Sequence, residues 1–448
     1  MPKETLLSAS TWRTRLVLWS GGLLVGAASC ALAVAAERAE ALRDALFAAH
    51  PWAPLLVLPA GLALAVWLTR RFAPAARGSG IPQAIAALGN PDETYRRRLL
   101  SLPVAAWKFV LTVWGMACGA SIGREGPTVH IGAAILFQLG RAARLPHHLL
   151  ERGLILAGGA AGIAAAFNTP LAGIMFAIEE LARSFEERSS GAVITAVVLA
   201  GVVALAVLGN YTYFGRTEVT LPLSASWLAI PLCGVVGGLL GGLFSRALVT
   251  GSRCLVPIIR RRPLGFAAAV GLALAVLGIA SDGASFGSGY HHARDVVTGA
   301  ADAGFAFTAT KIVATWLSYF TGIPGGIFAP SLAAGAGLGG ELARLAPAAP
   351  ADAVVILGMV AYFSGVVQTP ITATVIVLEM TANPQMALPI LATAFLAFAT
   401  SRLILRQSVY WALAEDLLER EEERRARAAP QPPLPLEEPQ PIGEPPRF

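Results

Sequence analysis

The sequence predicts an all-α polytopic membrane protein, and its composition leads to that fold class. Only 14% of the 448 residues are charged, compared with about a quarter in an average soluble domain, and 55% are hydrophobic. The mean hydropathy of +0.62 is correspondingly high. A soluble chain of this length needs far more polar surface. The composition therefore excludes soluble globular, disordered and fibrous proteins, and it favours a chain that faces lipid over most of its outside.

Long charge-free runs supply the predicted membrane segments, since a spanning helix needs about 20 apolar residues. The first run is interpreted as a membrane helix, because the N-terminus lacks the short apolar core and small-residue cleavage site of a signal peptide. The runs cover residues 16–36, 51–69, 109–123, 153–178, 191–215, 219–245, 263–281, 312–340, 353–378 and 381–401.

Several of these runs are too long or too broken to form one straight helix. The run 312–340 contains the sequence TGIPGGIFAP in its middle. Gly-Pro interruptions of this kind are typical of discontinuous membrane helices, whose freed backbone must be buried in protein or line a wet cavity.

The charged residues lie in short loops and at the chain ends. Arginines at 70, 71, 77 and 96–98 predict cytoplasmic loops, so the net charge of +6 does not indicate nucleic acid binding. The four cysteines have no metal or disulfide spacing. We expect a cytoplasmic segment at 1–14, a membrane domain at 15–415 and a charged, Pro-rich, disordered tail at 416–448, with eight prolines in 430–448.

The membrane domain contains an internal duplication. Lys108 precedes a Gly-x-x-x-Pro motif at Gly123 by 15 residues, and Lys311 precedes another at Gly326 by the same interval. Asn168-Thr169-Pro170 with Glu179 matches Gln368-Thr369-Pro370 with Glu379 at an offset of 200. These matches predict two related halves, roughly 50–215 and 225–415, whose parallel or inverted arrangement the offset alone does not decide. Duplicated transporters place their binding site between the halves, on broken helix ends.

Three Gly-Pro clusters are candidates for such helix ends, and together they predict an anion site. They are Gly78-Ser79-Gly80-Ile81-Pro82, Gly123-Arg124-Glu125-Gly126-Pro127 and Gly326-Ile327-Phe328-Ala329-Pro330. Proline suits the first turn of a helix, where unpaired N–H groups carry roughly +0.5 charge. Converging helix starts bind an anion less tightly than a lysine or arginine side chain would, so the anion can also be released. The alternative is that these glycines and prolines only form ordinary loops between helices, and that Ser79 is a simple helix N-cap.

Glu125 is the most informative single residue. A carboxylate at a helix start inside a membrane is costly, unless the helix ends that bind an anion also bind this carboxylate. Glu125 would then compete with the transported anion until protonation released it, which couples anion access to pH. The alternative is a salt bridge to a loop arginine such as Arg124.

The remaining buried candidates have plain structural alternatives. Glu179 and Glu180 end an apolar run and are compatible with a helix-end pair to Arg183. Lys108 and Lys311 either act as counter-charges for the glutamates or extend their ammonium groups to the membrane–water interface. His130 is more typical of a packed, hydrogen-bonded histidine.

These motifs, in this order and with Tyr410 near the end, resemble the CLC family of chloride channels and proton-coupled chloride antiporters. The resemblance covers about residues 15–415. It implies two inverted repeats of broken, tilted helices and a homodimer whose subunits each have their own pore. It further implies transport of chloride, most consistently by chloride/proton exchange in a cell inner (plasma) membrane, with no enzymatic activity, cofactor, metal or nucleic acid partner.

The resemblance also implies roles for individual residues. Ser79 and Tyr410 would coordinate the central anion through their hydroxyls, with backbone N–H groups around Ile327 and Phe328. Glu125 matches the gating glutamate, and Glu180 matches an inner proton-transfer glutamate that the family's channels commonly lack. The expected anion-binding set is Ser79, Gly80, Ile81, Gly123, Arg124, Gly126, Ile327, Phe328 and Tyr410.

Some features depart from the family pattern. Gln83 stands where glutamate is frequent, and Ile85 stands where bacterial antiporters often have an acid, so both affect expectations for the inner proton route. Ser79 disfavours the nitrate type, which has proline there, and the intact motifs disfavour the fluoride-exporting branch. The tail is too short for paired nucleotide-binding modules, so no ATP control is expected.

The main rival function is a passive chloride channel of the same fold. A membrane-embedded enzyme is disfavoured because no His-Glu-x-x-His or Gly-x-Ser-x-Gly motif and no metal-ligand cluster occurs in the sequence. A purely structural membrane protein is disfavoured by Glu125 and the three helix-start motifs.

Overall fold

The computed structural model describes residues 9–145, 152–183, 187–301 and 304–428, which form nineteen α-helices joined by turns. No strand occurs in these ranges, where only an isolated bridge pairs Gly123 with Gly326. The helices are α1 (Ala9–Ala49), α2 (Pro54–Phe72), α3 (Ile81–Gly89), α4 (Glu93–Leu99), α5 (Leu102–Cys118), α6 (Glu125–Ala142), α7 (Leu154–Phe167), α8 (Pro170–Phe176), α9 (Glu187–Leu208), α10 (Ala229–Cys254), α11 (Val256–Arg261), α12 (Pro263–Ala280), α13 (Tyr290–Val297), α14 (Phe305–Thr321), α15 (Phe328–Leu345), α16 (Ala351–Val367), α17 (Pro370–Thr381), α18 (Ala387–Arg402) and α19 (Val409–Ala428).

The predicted all-α membrane architecture is confirmed. Within the described ranges, seven helical stretches are long and apolar enough to cross a membrane, and three shorter apolar helices accompany them. The run 312–340 is broken as predicted, into α14 and α15 on either side of residues 322–327. The runs 153–178 and 353–378 also break, at Thr169 and Thr369, because a proline follows each threonine and starts a new helix.

The predicted segment bounds need correction at both ends of the chain. Helix α1 begins at Ala9 and continues to Ala49, well beyond the predicted span 16–36. Residues 416–428, which we assigned to a disordered tail, are helical in α19, where Glu421 bonds to Arg98 on α4. Their charges pair with other charges rather than only with water, and this favours an ordered helix. Residues 1–8 and 429–448 lie outside the described residues.

Reciprocal contacts relate the two halves of the chain as an inverted pair. Gly123 N donates to Gly326 O at 2.8 Å, and Gly326 N donates to Gly123 O at 2.7 Å, in antiparallel orientation. A two-fold axis requires such exchange between equivalent residues. The same equivalence holds for helix packing, since α6 packs on α7 as α15 packs on α16.

Small residues allow these helix pairs to approach closely. A side chain on Gly158 of α7 would collide with the backbone of Gly132 of α6, and Gly358 of α16 stands against Gly339 of α15 in the same way. Close backbone contact of this kind stabilises helix pairs in lipid, where burial of apolar surface supplies little driving force. The resulting rigid frame surrounds the helix starts that form the candidate site.

Candidate anion and proton pathway

Ser79 lies in a glycine-bounded turn immediately before α3. Gly78 and Gly80 have φ values of 70° and 113°, which favour glycine. Ser79 is 1% exposed, and its hydroxyl has no hydrogen-bond partner within the described chain. Lys108 Nζ donates to Gly78 O at 3.1 Å and holds the turn in place. The turn therefore presents a buried hydroxyl that is free to bind a ligand.

Tyr410 supplies a second buried hydroxyl from the first turn of α19. The residue is fully buried, and its hydroxyl also has no partner in the described ranges. Its ring lies 5.7 Å from the ring of Phe328, the first residue of α15, and α19 packs on α3. Buried polar atoms without partners are rare in native structures. The two hydroxyls are consistent with a shared anion between them.

The helix starts of α3, α6 and α15 meet at this point, as the sequence predicted. A Cβ placed on Gly126 would lie 2.9 Å from Ser79 O, and one on Gly326 would lie 3.0 Å from Gly126 N. Ile81 and Ile327 flank the same region and are buried. The first N–H groups of each helix have no intrahelical acceptor, so together they create a positive potential without a fixed cation.

Glu125 is the first residue of α6 and is completely buried. Its carboxylate lies against the Gly123–Gly326 bridge and faces backbone amides, including that of Ala329 in α15. No side chain in the described chain hydrogen-bonds to it. The carboxylate thus occupies a position next to the converging helix starts, where an anion would also be stabilised.

The alternative salt bridge between Glu125 and Arg124 is not formed. Arg124 Nη1 instead donates to Glu37 Oε1 at 3.1 Å and to Ala33 O at 2.9 Å, both on α1. Its guanidinium also lies 5.8 Å from the ring centroid of Tyr213. The backbone of Arg124 therefore forms the start of α6, while its side chain bonds to α1. Nothing in the sequence distinguished Glu37 as its partner.

Two cavities of very different size lie near the converging helix starts. The larger cavity, of about 250 Å³, reaches Gly78 and Ser79 and is lined by Arg77, Tyr319 and Arg420. The space that Glu125 lines is about 10 Å³, bordered by Glu37, Glu40, Met116, Arg124, Tyr213, Ser288 and Tyr290. That smaller space holds no more than about one water molecule. Glu125 lines only the smaller of the two spaces.

Glu180 lies on a π-helical turn, Ala177–Ala182, which also holds Glu179. It is 1% exposed, and its Oε1 accepts a hydrogen bond from Ser408 Oγ at 2.9 Å while Oε2 has no partner in the described chain. Glu179 faces α17 instead, since successive side chains on a helix point in different directions. Neither glutamate forms an ion pair with Arg183 among the described residues, so the helix-end pair is not observed.

A second cavity reaches the Ser408 side of Glu180. Its volume is about 480 Å³, and its lining includes Glu179, Arg183, Arg402, Arg406 and Ser408. It shares no lining residue with the cavity that reaches Ser79. Ser408 was not identified from the sequence, where a serine between a polar residue and a valine gives no signal.

The two buried lysines have equivalent structural surroundings. Lys108 bonds to the loop before α3, and Lys311 Nζ donates to Ser285 O at 3.1 Å and to Gly287 O at 3.1 Å in the loop before α13. Neither pairs with a glutamate in the described ranges. His130 is buried and bonds to Leu99 O at 2.9 Å, the packed role that the sequence favoured. Gln83 bonds to the carbonyls of Ala75 and Arg77, and Ile85 is part of the core.

Comparison with known proteins gives a consistent result. A model of the voltage gated chloride channel family matches residues 61–402. The H(+)/Cl(-) exchange transporter ClcA of Cronobacter sakazakii is 34% identical over 431 residues, which cover 91% of this chain and 90% of that protein. The transporter of the same name from Vibrio parahaemolyticus is 32% identical over 408 residues, 88% of this chain and 86% of that protein.

Solved structures show the same fold. A slow cyanobacterial Cl⁻/H⁺ antiporter superposes with a TM-score of 0.79 at 25% identity, over 92% of this chain and 99% of the other. A CLC-type fluoride/proton antiporter superposes with a TM-score of 0.75 at 25% identity, over 89% and 96%. The match to the family model and the relatives above 30% identity establish that this chain, a multi-pass membrane protein, belongs to the voltage gated chloride channel family.

Proposed function

We propose that the protein exchanges chloride for protons across a bacterial inner membrane. The observation on which this depends is the position of Glu125. It is fully buried at the start of α6, beside the starts of α3 and α15, and it lines a space of only about 10 Å³. The relatives named as H(+)/Cl(-) exchange transporters support the same activity.

The proposed chloride path begins in the cavity of about 250 Å³ that reaches Ser79. The arginines beside it indicate the cytoplasmic side by the positive-inside rule. Ser79 and Tyr410 hydroxyls and the N–H groups at Ile327 and Phe328 replace part of the ion's hydration. Because these donors are dipoles, binding is favourable and still weak enough for release.

The proposed proton path uses the second cavity. A proton passes from the cytoplasm to Glu180 next to Ser408 and then towards Glu125, which also meets the chloride path. Ionised Glu125 competes with chloride for the helix starts, and protonated Glu125 loses that attraction and leaves the path. One side chain therefore serves both ions, and this makes their movements interdependent.

The passive channel is the rival within the same fold. A buried carboxyl at Glu180, bonded to Ser408 at the edge of a cavity separate from the chloride cavity, has no use in a path for chloride alone. Exchange accounts for this residue, whereas a channel leaves a costly buried acid without a function.

We also propose a homodimer formed through the surface around α8 and α17. Leu171 and Ile371, in the first turns of these helices, are 60% and 38% exposed, and Glu179 and Glu379 lie beneath them. Glu379 is half-buried under Leu171, where a carboxylate is costly against lipid, whereas Glu179 also borders the cavity that reaches Ser408. A second copy of this chain, packed on the same surface, would cover these carboxylates with protein in place of lipid. Leu171→Trp together with Ile371→Trp should give monomers by cross-linking in membranes, whereas an unchanged dimer would exclude this surface.

The experiment for the activity uses purified protein in liposomes that contain high chloride, with no pH gradient imposed. Potassium and valinomycin hold the membrane potential near zero. Chloride leaving down its gradient should drive protons inward, so that the interior acidifies against the growing pH gradient. Chloride efflux without acidification would establish a channel instead.

A further inference from the structure

Four arginines surround a cavity beside the chloride path, which we term the arginine cavity. It is lined by Arg70 at the end of α2, Arg77, Arg260 at the end of α11 and Arg420 on α19. Its volume of about 520 Å³ lies within the range of about 300–1,000 Å³ that is usual for small-molecule sites.

The positive charge of the arginine cavity is not balanced by the chain. None of its four arginines forms an ion pair within the part of the chain that the structure describes, and Arg70 bonds only weakly to Ile259 O at 3.3 Å. Glu423 is the one carboxylate among the described lining residues, and it pairs with Arg427 at 3.3 Å. All four arginines are exposed, so water and salt weaken the repulsion among their guanidinium groups, and an anion between them would remove what is left.

The arginine cavity adjoins the mouth of the chloride path. It shares Pro74, Arg77, Ile259 and Arg420 with the cavity of about 250 Å³ that reaches Ser79. Asp416 lines the cavity of about 250 Å³ and is already bonded to Arg253 at 2.8 Å. A bulky anion in the arginine cavity would therefore stand where chloride approaches Ser79 and would meet no unpaired carboxylate there.

Attraction of chloride alone does not account for this arrangement. A chloride ion has one charge and fills a small part of 520 Å³, so it leaves most of the guanidinium donors unused. Phosphate oxygens accept the parallel hydrogen bonds of a guanidinium, and two or more linked phosphates match several arginines at once.

We propose that the arginine cavity binds a compound with two or more phosphate groups and that its occupation slows chloride access from this side. The second part rests on the proposed transport function, whereas binding itself does not. Two sources share this chemistry: a free polyphosphate from the cytoplasm, and a membrane lipid with two phosphates, since basic pockets near the cytoplasmic ends of membrane helices bind such headgroups.

Binding is tested first by calorimetry on the purified full chain in detergent, with tripolyphosphate as the probe. Arg70→Gln and Arg260→Gln each remove one guanidinium that does not line the chloride cavity. Each should weaken binding by about tenfold, as expected for the loss of a charge-assisted hydrogen bond. Arg261→Gln is the matched control, because Arg261 is an exposed neighbour of Arg260 that does not line the cavity.

The lipid source and the effect on transport are tested in liposomes. Chloride efflux is measured from phosphatidylcholine vesicles with tripolyphosphate in the bath, and from vesicles to which cardiolipin has been added. Slower efflux with either probe, restored by Arg260→Gln and not by Arg261→Gln, supports the proposal and identifies the source.

Two results would overturn the proposal. One is the absence of both tripolyphosphate binding and any cardiolipin effect in the unmodified protein. The other is an equal loss of the effect in the Arg260→Gln and Arg261→Gln variants, which would indicate general surface charge. Binding without any change in efflux would retain the site and reject its effect on chloride access.

Discussion

Glu179 and Glu379, which occupy equivalent positions 200 residues apart, each accept hydrogen bonds from the start of a helix in the other half of the chain. Glu379 receives two N–H groups of the first turn of α8, at 3.1 and 2.8 Å. Glu179 receives two from the first turn of α17, at 3.1 and 2.6 Å. The repeated Thr-Pro motif starts a helix in each half, and the repeated glutamate of the other half caps it.

Removing one of these caps should destabilise the fold. Glu379→Ala leaves two N–H groups and a helix dipole without their acceptor, at a cost of about 1–3 kcal/mol. Glu379→Gln retains one acceptor oxygen and should lose less. Equilibrium unfolding in mild detergent measures the difference, with Glu419→Ala on an exposed position of α19 as control. A loss no greater than in the control would show that the caps contribute little.

Glu125→Gln should separate chloride movement from proton movement. The neutral amide cannot compete with chloride as a carboxylate does, and it cannot accept and release a proton. Chloride efflux from liposomes should persist, while the driven acidification disappears and efflux becomes insensitive to pH. Coupled, pH-dependent proton movement in this variant would remove Glu125 from the mechanism.

Gly123→Ala should displace the Glu125 carboxylate without changing its chemistry. A methyl group at Gly123 would collide with Glu125 Oε2, and an overlap of this kind costs about 1–3 kcal/mol. We expect faster chloride efflux with fewer protons moved per chloride. Gly201→Ala is the control, because space around that helical glycine is open. Unchanged coupling would mean that the carboxylate does not need its position against the Gly123–Gly326 bridge.

Glu180→Gln should suppress proton movement selectively. The introduced amide retains a hydrogen bond with Ser408 but cannot transfer a proton, so proton flux should fall by about 10²-fold, within the range for loss of a proton-transferring group. Chloride flux should remain, since Glu180 does not line the cavity that reaches Ser79. Glu419→Gln is the control for a general effect of lost negative charge. Equal decreases of both fluxes would indicate a structural role.

Glu421 should make the docking of α19 sensitive to acid. Hydrogen bonds from Arg424, Arg98 and Arg425 lower the pKa of Glu421 to about 2, although partial burial opposes them. Because the folded-state pKa lies below the ordinary value of 4.5, the stabilisation is complete above that value and is lost as pH falls towards 2.

The measurement compares unfolding of the protein and Glu421→Gln in detergent between pH 7 and pH 3. The unmodified protein should be more stable at pH 7, and the difference should shrink below about pH 4.5. A difference that stays constant over this interval would show that ionisation of Glu421 is not the cause.

Composition and motif order were enough to predict the class of the protein and the helix break inside 312–340. Low charge and charge-free runs require a lipid environment, because water cannot solvate so much apolar surface. The break inside 312–340 followed from Gly-Pro chemistry, since proline cannot continue a helix and glycine accepts the turns that result. The matched Lys, Gly-x-x-x-Pro, Thr-Pro and Glu positions indicated two halves, because such polar matches rarely arise by chance in an apolar chain.

Which of these residues meet depends on the packing of distant helices. Ser79 and Tyr410 are 331 positions apart, and only the packing of α3 on α19 places both at the same helix starts. Arg124 is adjacent to Glu125 in sequence, yet its side chain pairs with Glu37 on α1. Glu179 and Glu180 are adjacent in sequence, yet the first bonds to the start of α17 and the second to Ser408. Such partners are brought together by packing between distant parts of the chain, which local sequence patterns do not reveal.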